Sequence, residues 1–113
     1  TGMKEVHRED LQPFGDKLIY FGIQDAKIKS LEKDLFIHNP NLKVLGLFGN
    51  RIQYIDESAF DHLKQLSNLW LEGNECVNKE AKDIEKSAKL IEEVKETCFI
   101  HFLHPWKKPP SNH

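Results

Sequence analysis

The 113-residue chain carries 16 basic and 18 acidic side chains, a formal net charge of -2, with both signs mixed along its length. That length suits one compact domain with a shared core, and the balanced charge offers no broad footprint for nucleic acid or an anionic membrane. No stretch approaches the ~20 apolar residues of a membrane span, and the opening residues 1–10 are charged rather than signal-like.

An internal period organises the middle of the chain. Leu18, Leu42 and Leu66 are 24 apart, and the same offset links Phe21, Leu45 and Leu69, then Ile23, Leu47 and Leu71. It also joins Ile28 to Ile52, Leu31 to Ile55 and Phe36 to Phe60. Residues 1–17 precede this register. An offset of 25 aligns Met3 with Ile28, Val6 with Leu31 and Leu11 with Phe36, with one residue inserted near Pro13, Phe14 and Gly15. The segment reads as the back half of an earlier repeat without its strand: either the chain is a fragment of a longer array, or this half-repeat opens the domain.

Repeats 18–41 and 42–65 follow, then a last strand from Leu66. In each, alternation turns leucines such as Leu45 and Leu47 inward and leaves Val44, Gly46 and Phe48 outward. No repeat can bury its own leucines. At roughly 1.5–3 kcal/mol for each large side chain buried, stacking of repeats into a parallel sheet is the source of stability. The strand at 19–24 stands first in that sheet, with an outer edge open to pairing unless the N-terminal segment covers it. Asn50 and Asn74 suit turn positions whose amides bond neighbouring backbone. Their equivalent is Ala26, with Asp25 beside it as a candidate substitute.

Cys76 and Cys98, 22 positions apart, bracket a charged segment in which Ile84, Ala88, Ile91 and Val94 recur at helical spacing. Asn78 suits its N-cap, and its exposed face alternates Lys and Glu. Two cysteines permit one disulfide, restricting the unfolded chain by roughly 3 kcal/mol; the alternative is two buried thiols in a reducing compartment. The tail, 99–113, leaves the pattern. Phe99 to Trp106 is expected to pack on this end of the domain, the alternative being a sticky partner-binding or membrane-surface segment, and residues from Lys107 onward are expected to be disordered.

The stretches LKVLGLFGNRI from Leu42 and LSNLWLEGN from Leu66 resemble the typical extracellular class of leucine-rich repeat, and the resemblance covers about residues 3–98. The wording around Asp34, Leu35 and Phe36, and from Gly73 to Cys76, is also similar to short secreted leucine-rich-repeat proteins of insects. The resemblance implies an α/β fold, a right-handed leucine-rich-repeat solenoid with a short parallel β-sheet and a C-terminal capping helix. Residues 1–98 would form the domain and 66–98 its last strand and cap. It further implies an asparagine ladder through Asn50 and Asn74 that is interrupted at Ala26. A Cys76–Cys98 disulfide and a secreted location follow from it as well, although the family's cap more often carries four cysteines.

No Gly-rich phosphate loop, Walker-type lysine motif, zinc-protease His-Glu-x-x-His or Gly-x-Ser-x-Gly elbow is present. Carboxylates are scattered rather than paired in a cleft. The expectation is therefore no catalytic residue and no cofactor. His38 and His62 fall on successive repeats and His101 and His104 have a helical-type spacing, but a closed zinc site needs four ligands brought together, so no metal is expected. The informative constellation is the outward face of the sheet: Tyr20, Gly22, Gln24 and Asp25 from the first repeat, Val44, Gly46 and Phe48 from the second, Asn68, Trp70 and Glu72 from the third. With strands about 4.8 Å apart, Tyr20, Phe48 and Trp70 are expected to form one patch with Gly22 and Gly46 as its shallow floor. Exposed aromatic groups of this kind mark binding sites. Against this stands burial of the patch by Phe102 and Trp106 of the tail, or by a second copy of the chain.

The function expected is non-enzymatic recognition of a protein or peptide-like ligand through Tyr20, Gln24, Asp25, Val44, Phe48, Asn68, Trp70 and Glu72, in extracellular recognition or innate immunity. The alternative is an assembly module that self-associates as a homodimer through the open sheet edge and the aromatic patch.

Overall fold

A computed structural model of the chain describes residues 5–106. Met3 and the residues from Lys107 onward, which two of the expectations above concern, lie outside them. In chain order the elements are α1 (Arg8–Leu11), a 3₁₀ turn (Gln12–Lys17), β1 (Tyr20–Gly22), β2 (Ser30–Leu31), β3 (Val44–Gly46), β4 (Tyr54–Ile55), β5 (Asn68–Trp70), β6 (Glu80–Ala81), α2 (Ile84–Val94), a π-helical segment (Lys95–Ile100) and α3 (His101–Leu103).

The 24-residue offset becomes strand register. β1, β3 and β5 pair in parallel, with Tyr20 beside Val44 beside Asn68 and Phe21 beside Leu45 beside Leu69. β2 and β4 form a second, two-stranded parallel sheet, with Ser30 beside Tyr54 and Leu31 beside Ile55. Leu45 and Leu69 from the first sheet and Leu31 and Ile55 from the second meet in one core with Leu42, Leu47, Ile52 and Leu71. Phe36 fills its middle, its ring centroid 6.3 Å from Phe21 and 6.1 Å from Phe60.

The asparagines stitch successive repeats together. Asn74 Oδ1 accepts from the backbone N–H of Asn50 and Ile52, while its Nδ2 donates to the carbonyls of Leu47 and Leu71. Asn50 repeats the arrangement one step earlier, accepting from Ala26 N–H and donating to Ile23 and Leu47. Ala26 thus ends the ladder as a donor. Asp25 does not replace the missing amide: its carboxylate lies over Gly49, with Oδ1 2.6 Å from where a Cβ would stand. Gly49 and Gly73 hold φ of 72° and 74°, and Asp25 holds the equivalent left-handed turn at 56°, a conformation Asp tolerates better than most residues.

The N-terminal half-repeat packs into the same core through Val6 and Leu11, both 3% exposed. Buried Asn39 donates to the carbonyls of Leu11 and Gly15, and Glu32 accepts from the Arg8 N–H and pairs with His7 at 2.8 Å. These contacts hold the segment to the first repeat. Among the described residues β1 pairs only with β3, so its outer edge has no strand partner.

The C-terminal end departs from the sequence expectation. Residues 80–81 form β6, antiparallel to β5, with Trp70 beside Glu80. The Lys79 carbonyl accepts from Leu71 N–H at 2.9 Å. Because this backbone is committed to the sheet, covering its last edge, the helix cannot begin there. Its N-cap is Asp83, not Asn78: the Asp83 carboxylate accepts from Lys86 N–H at 2.7 Å, while the Asn78 side chain accepts from Gly73 N–H. With that start, Ser87, Leu90 and Val94 face the core. Ile84 and Ala88 stand exposed, lining a groove with Leu63 and Leu66 instead of filling the core.

Cys76 and Cys98 are joined by a disulfide, Cα atoms 5.1 Å apart. Lys79–Glu93 and Lys95–Asp61 ion pairs at 2.6 and 3.2 Å add to the attachment of the helix. The helical course runs past Cys98 to Leu103, and the Tyr54 ring of β4 meets Phe99 and Phe102 at 5.9 and 5.0 Å.

Candidate functional site

The outward face of the four-stranded sheet is set by the alternation that buries Leu45 and Leu69: every second side chain must point the other way. Tyr20 and Phe48 are 58% and 39% exposed, and Trp70 is half-buried. Two glycines explain where these rings lie. A Cβ on Gly46 would stand 3.1 Å from the Trp70 ring, and one on Gly22 2.8 Å from the Tyr20 hydroxyl. Each ring therefore rests on bare backbone, and a side chain at either glycine would require the ring to shift.

The result is a set of separate aromatic beds. None of the ring contacts among the described residues joins Tyr20, Phe48 and Trp70 to one another. Tyr20, Gln24 and Phe48 line a shallow cavity of about 300 Å³ with Gly22, Ile23 and Gly46. Val44 and Asn68 are half-buried register partners on the neighbouring strands, and the Asn68 Oδ1 accepts from Ser67 Oγ at 3.0 Å. Glu72 is half-buried, and Asp25 is exposed above Gly49 at the rim.

The alternative, covering of this face by the tail, is not what the described residues show. Phe102 meets Tyr54, which belongs to the second sheet, in a tilted ring contact, and Trp106 meets His104 at 5.0 Å. The reason is the continued helix, which carries the apolar side chains past Cys98 toward β4. Sequence reasoning also missed Glu80, which β6 sets directly beside Trp70. The available signal was Asp83, a stronger helix start than Asn78 because it precedes Ile84 directly and leaves residues 79–82 free for another structure.

Elsewhere the titratable groups are tied into the scaffold. His62 Nε2 lies 3.2 Å from Asp34 Oδ1. The Tyr54 hydroxyl donates to Asp56, and burial together with that carboxylate pushes its pKa up to about 12. Among the described residues no three His, Cys, Asp or Glu side chains converge as metal ligands.

Parallel strands spaced by an identical leucine offset, joined by buried asparagines, define a class of repeat protein that presents one face of a sheet. The comparison with known families agrees: the leucine rich repeat profile matches residues 17–75, and the chain belongs to that family. Domains of this family generally mediate protein–protein recognition. The chain is similar to the leucine-rich repeat-containing G-protein coupled receptor 5 of Xenopus tropicalis, 40% identical over 52 residues, 46% of this chain and 6% of the receptor. The same figures hold for receptor 5A of Xenopus laevis. The matched stretch thus spans only a small part of either receptor.

Proposed function

We propose that this chain is a non-enzymatic recognition module that binds a protein or peptide-like partner across the outward face of β1, β3, β5 and β6, in an extracellular setting. The observation that carries the reading is the pair of glycine beds. Gly22 and Gly46 leave the Tyr20 and Trp70 rings on a solvent-facing sheet that the described tail does not cover. Core packing does not explain three large aromatics here, whereas a contact surface does. The Cys76–Cys98 disulfide and the likeness to repeat-bearing receptors support the extracellular setting. In this reading the repeats wind as a right-handed solenoid over residues 1–98, with 66–98 as last strand and cap.

An arrayed set of secreted proteins and receptor ectodomains, probed with the native chain and with Trp70→Ala, tests the proposal. Partners bound by the native chain and lost on substitution, at unchanged thermal unfolding, are expected; partners indifferent to Trp70→Ala would contradict it.

One observation favours a second reading, assembly through β1. Its outer edge is unpaired among the described residues, and Tyr20 is exposed beside it. Sedimentation velocity decides: a dimer lost on Tyr20→Lys supports assembly, and a concentration-independent monomer excludes it.

A further inference from the structure

The outward face has a charge as well as a shape. Trp70 and Glu80 are direct partners across β5 and β6, so both side chains project from the same side, with Cβ atoms about 5 Å apart. Glu72 stands in the turn that follows β5, two residues after Trp70. The indole thus has one carboxylate directly beside it across the ladder and a second in the adjoining turn. Among the described residues no ion pair reaches either of them, and the neighbouring Lys79 is turned away to Glu93 at 2.6 Å. Cations gather on another part of the surface, where Lys27, Lys29 and Arg51 line a cavity of about 490 Å³ beside β2.

An indole face attracts a cation, and a planar guanidinium can stack on it while donating hydrogen bonds to carboxylates at its edge. From this juxtaposition we propose that the partner of the face is a basic protein segment, one of whose arginine or lysine side chains is held over Trp70 beside Glu80, with Glu72 of the adjoining turn as the second carboxylate. The assignment rests on the recognition reading above and names the chemistry of its ligand. Gly46 is part of the device: the Trp70 ring rests against its bare backbone, where a Cβ would stand 3.1 Å from it.

The test uses the full chain carrying Trp106→Phe, which leaves Trp70 as the sole indole reporter; Trp106 is 75% exposed and lies outside the face. An acetylated, amidated alternating glycine–arginine octapeptide is titrated against it, with glycine–glutamate and glycine–leucine octapeptides in parallel. The basic peptide should change Trp70 emission saturably, its affinity falling about tenfold from low to physiological salt. The Glu72→Gln/Glu80→Gln variant, with native circular dichroism, should bind it about fivefold more weakly. The acidic peptide should give no saturable change. No saturable change with the basic peptide, an equal response to the acidic one, or an unaffected double variant overturns the proposal. A saturable response to the glycine–leucine peptide alone overturns the basic assignment while leaving the face as a binding surface; only the partner array with Trp70→Ala removes the face itself.

Discussion

Asn50 and Asn74 show how a single side-chain type holds successive repeats at a fixed spacing. Each buried amide serves backbone donors and acceptors that would otherwise be orphaned where one repeat turns into the next. Asn74→Ala removes the acceptor of two N–H groups and the donor to two carbonyls. It should cost about 2–4 kcal/mol in urea unfolding, and a loss below ~0.5 kcal/mol would show that water replaces the amide. These positions were legible in the sequence because they recur at the repeat offset. Asn39 was not: it stands where the next repeat has Leu63, so the pattern marks it as core, and its use in anchoring Leu11 and Gly15 appears only once the half-repeat is in place. The same anchor contains a pH-sensitive contact. The hydrogen bond to Glu32 raises the pKa of His7 above 6.5 against the opposing effect of desolvation, helped by the charges of Glu32, Glu5 and Asp10. The raised folded value means that the contribution is fully present below the unfolded pKa and is lost as pH rises through the folded one. In an NMR titration His7 should titrate above 6.5 and return toward it in Glu32→Gln; a native value at or below 6.5 would contradict the contact.

Among the elements, the strands were legible and the C-terminal unit only partly so. β1, β3 and β5 can be aligned from the residues alone because an identical offset in sequence is an identical register in a parallel sheet. β6 left no such trace. It is two residues long, antiparallel, and embedded in a window whose apolar spacing reads as helix. Ile84 and Ala88 satisfied that spacing yet stand outside the core, since periodicity reports a stripe but not which flank of it is buried. The disulfide fastens this composite of β6 and α2 to the repeats, closing a separation of 22 residues. Replacing both cysteines by serine should lower stability by about 3 kcal/mol. In hydrogen exchange, α2 and β6 should open ahead of β3 and β5. Uniform loss of protection across all four would mean that the C-terminal unit is not a separable element.

At the scale of the whole molecule, one chain presents two unlike surfaces around a single core. The outward face of the main sheet carries Tyr20 and Trp70 over glycine backbone and exposed Phe48 beyond β3, with Glu80 beside Trp70 and Glu72 in the turn after β5. The second sheet carries Tyr54 with Phe102 against it, and Leu103 and Trp106 stand exposed at that end. Of the residues expected on the face, Tyr20, Val44 and Asn68 stand in one row across the sheet, with Trp70 two residues on from Asn68. The sequence could not show that the rings lie apart, because ring placement depends on which backbone each glycine leaves bare, nor that the tail turns toward β4, because that follows from the continued helix. The claim that matters most is that recognition belongs to the glycine-bedded face rather than to the aromatic C-terminal end. Binding of a common partner to Phe48→Ala/Trp70→Ala and to Leu103→Ala/Trp106→Ala, measured side by side on folded protein, separates the two. The first pair should weaken binding by about 2 kcal/mol or more while the second leaves it unchanged; loss confined to the second pair would contradict recognition by the glycine-bedded face.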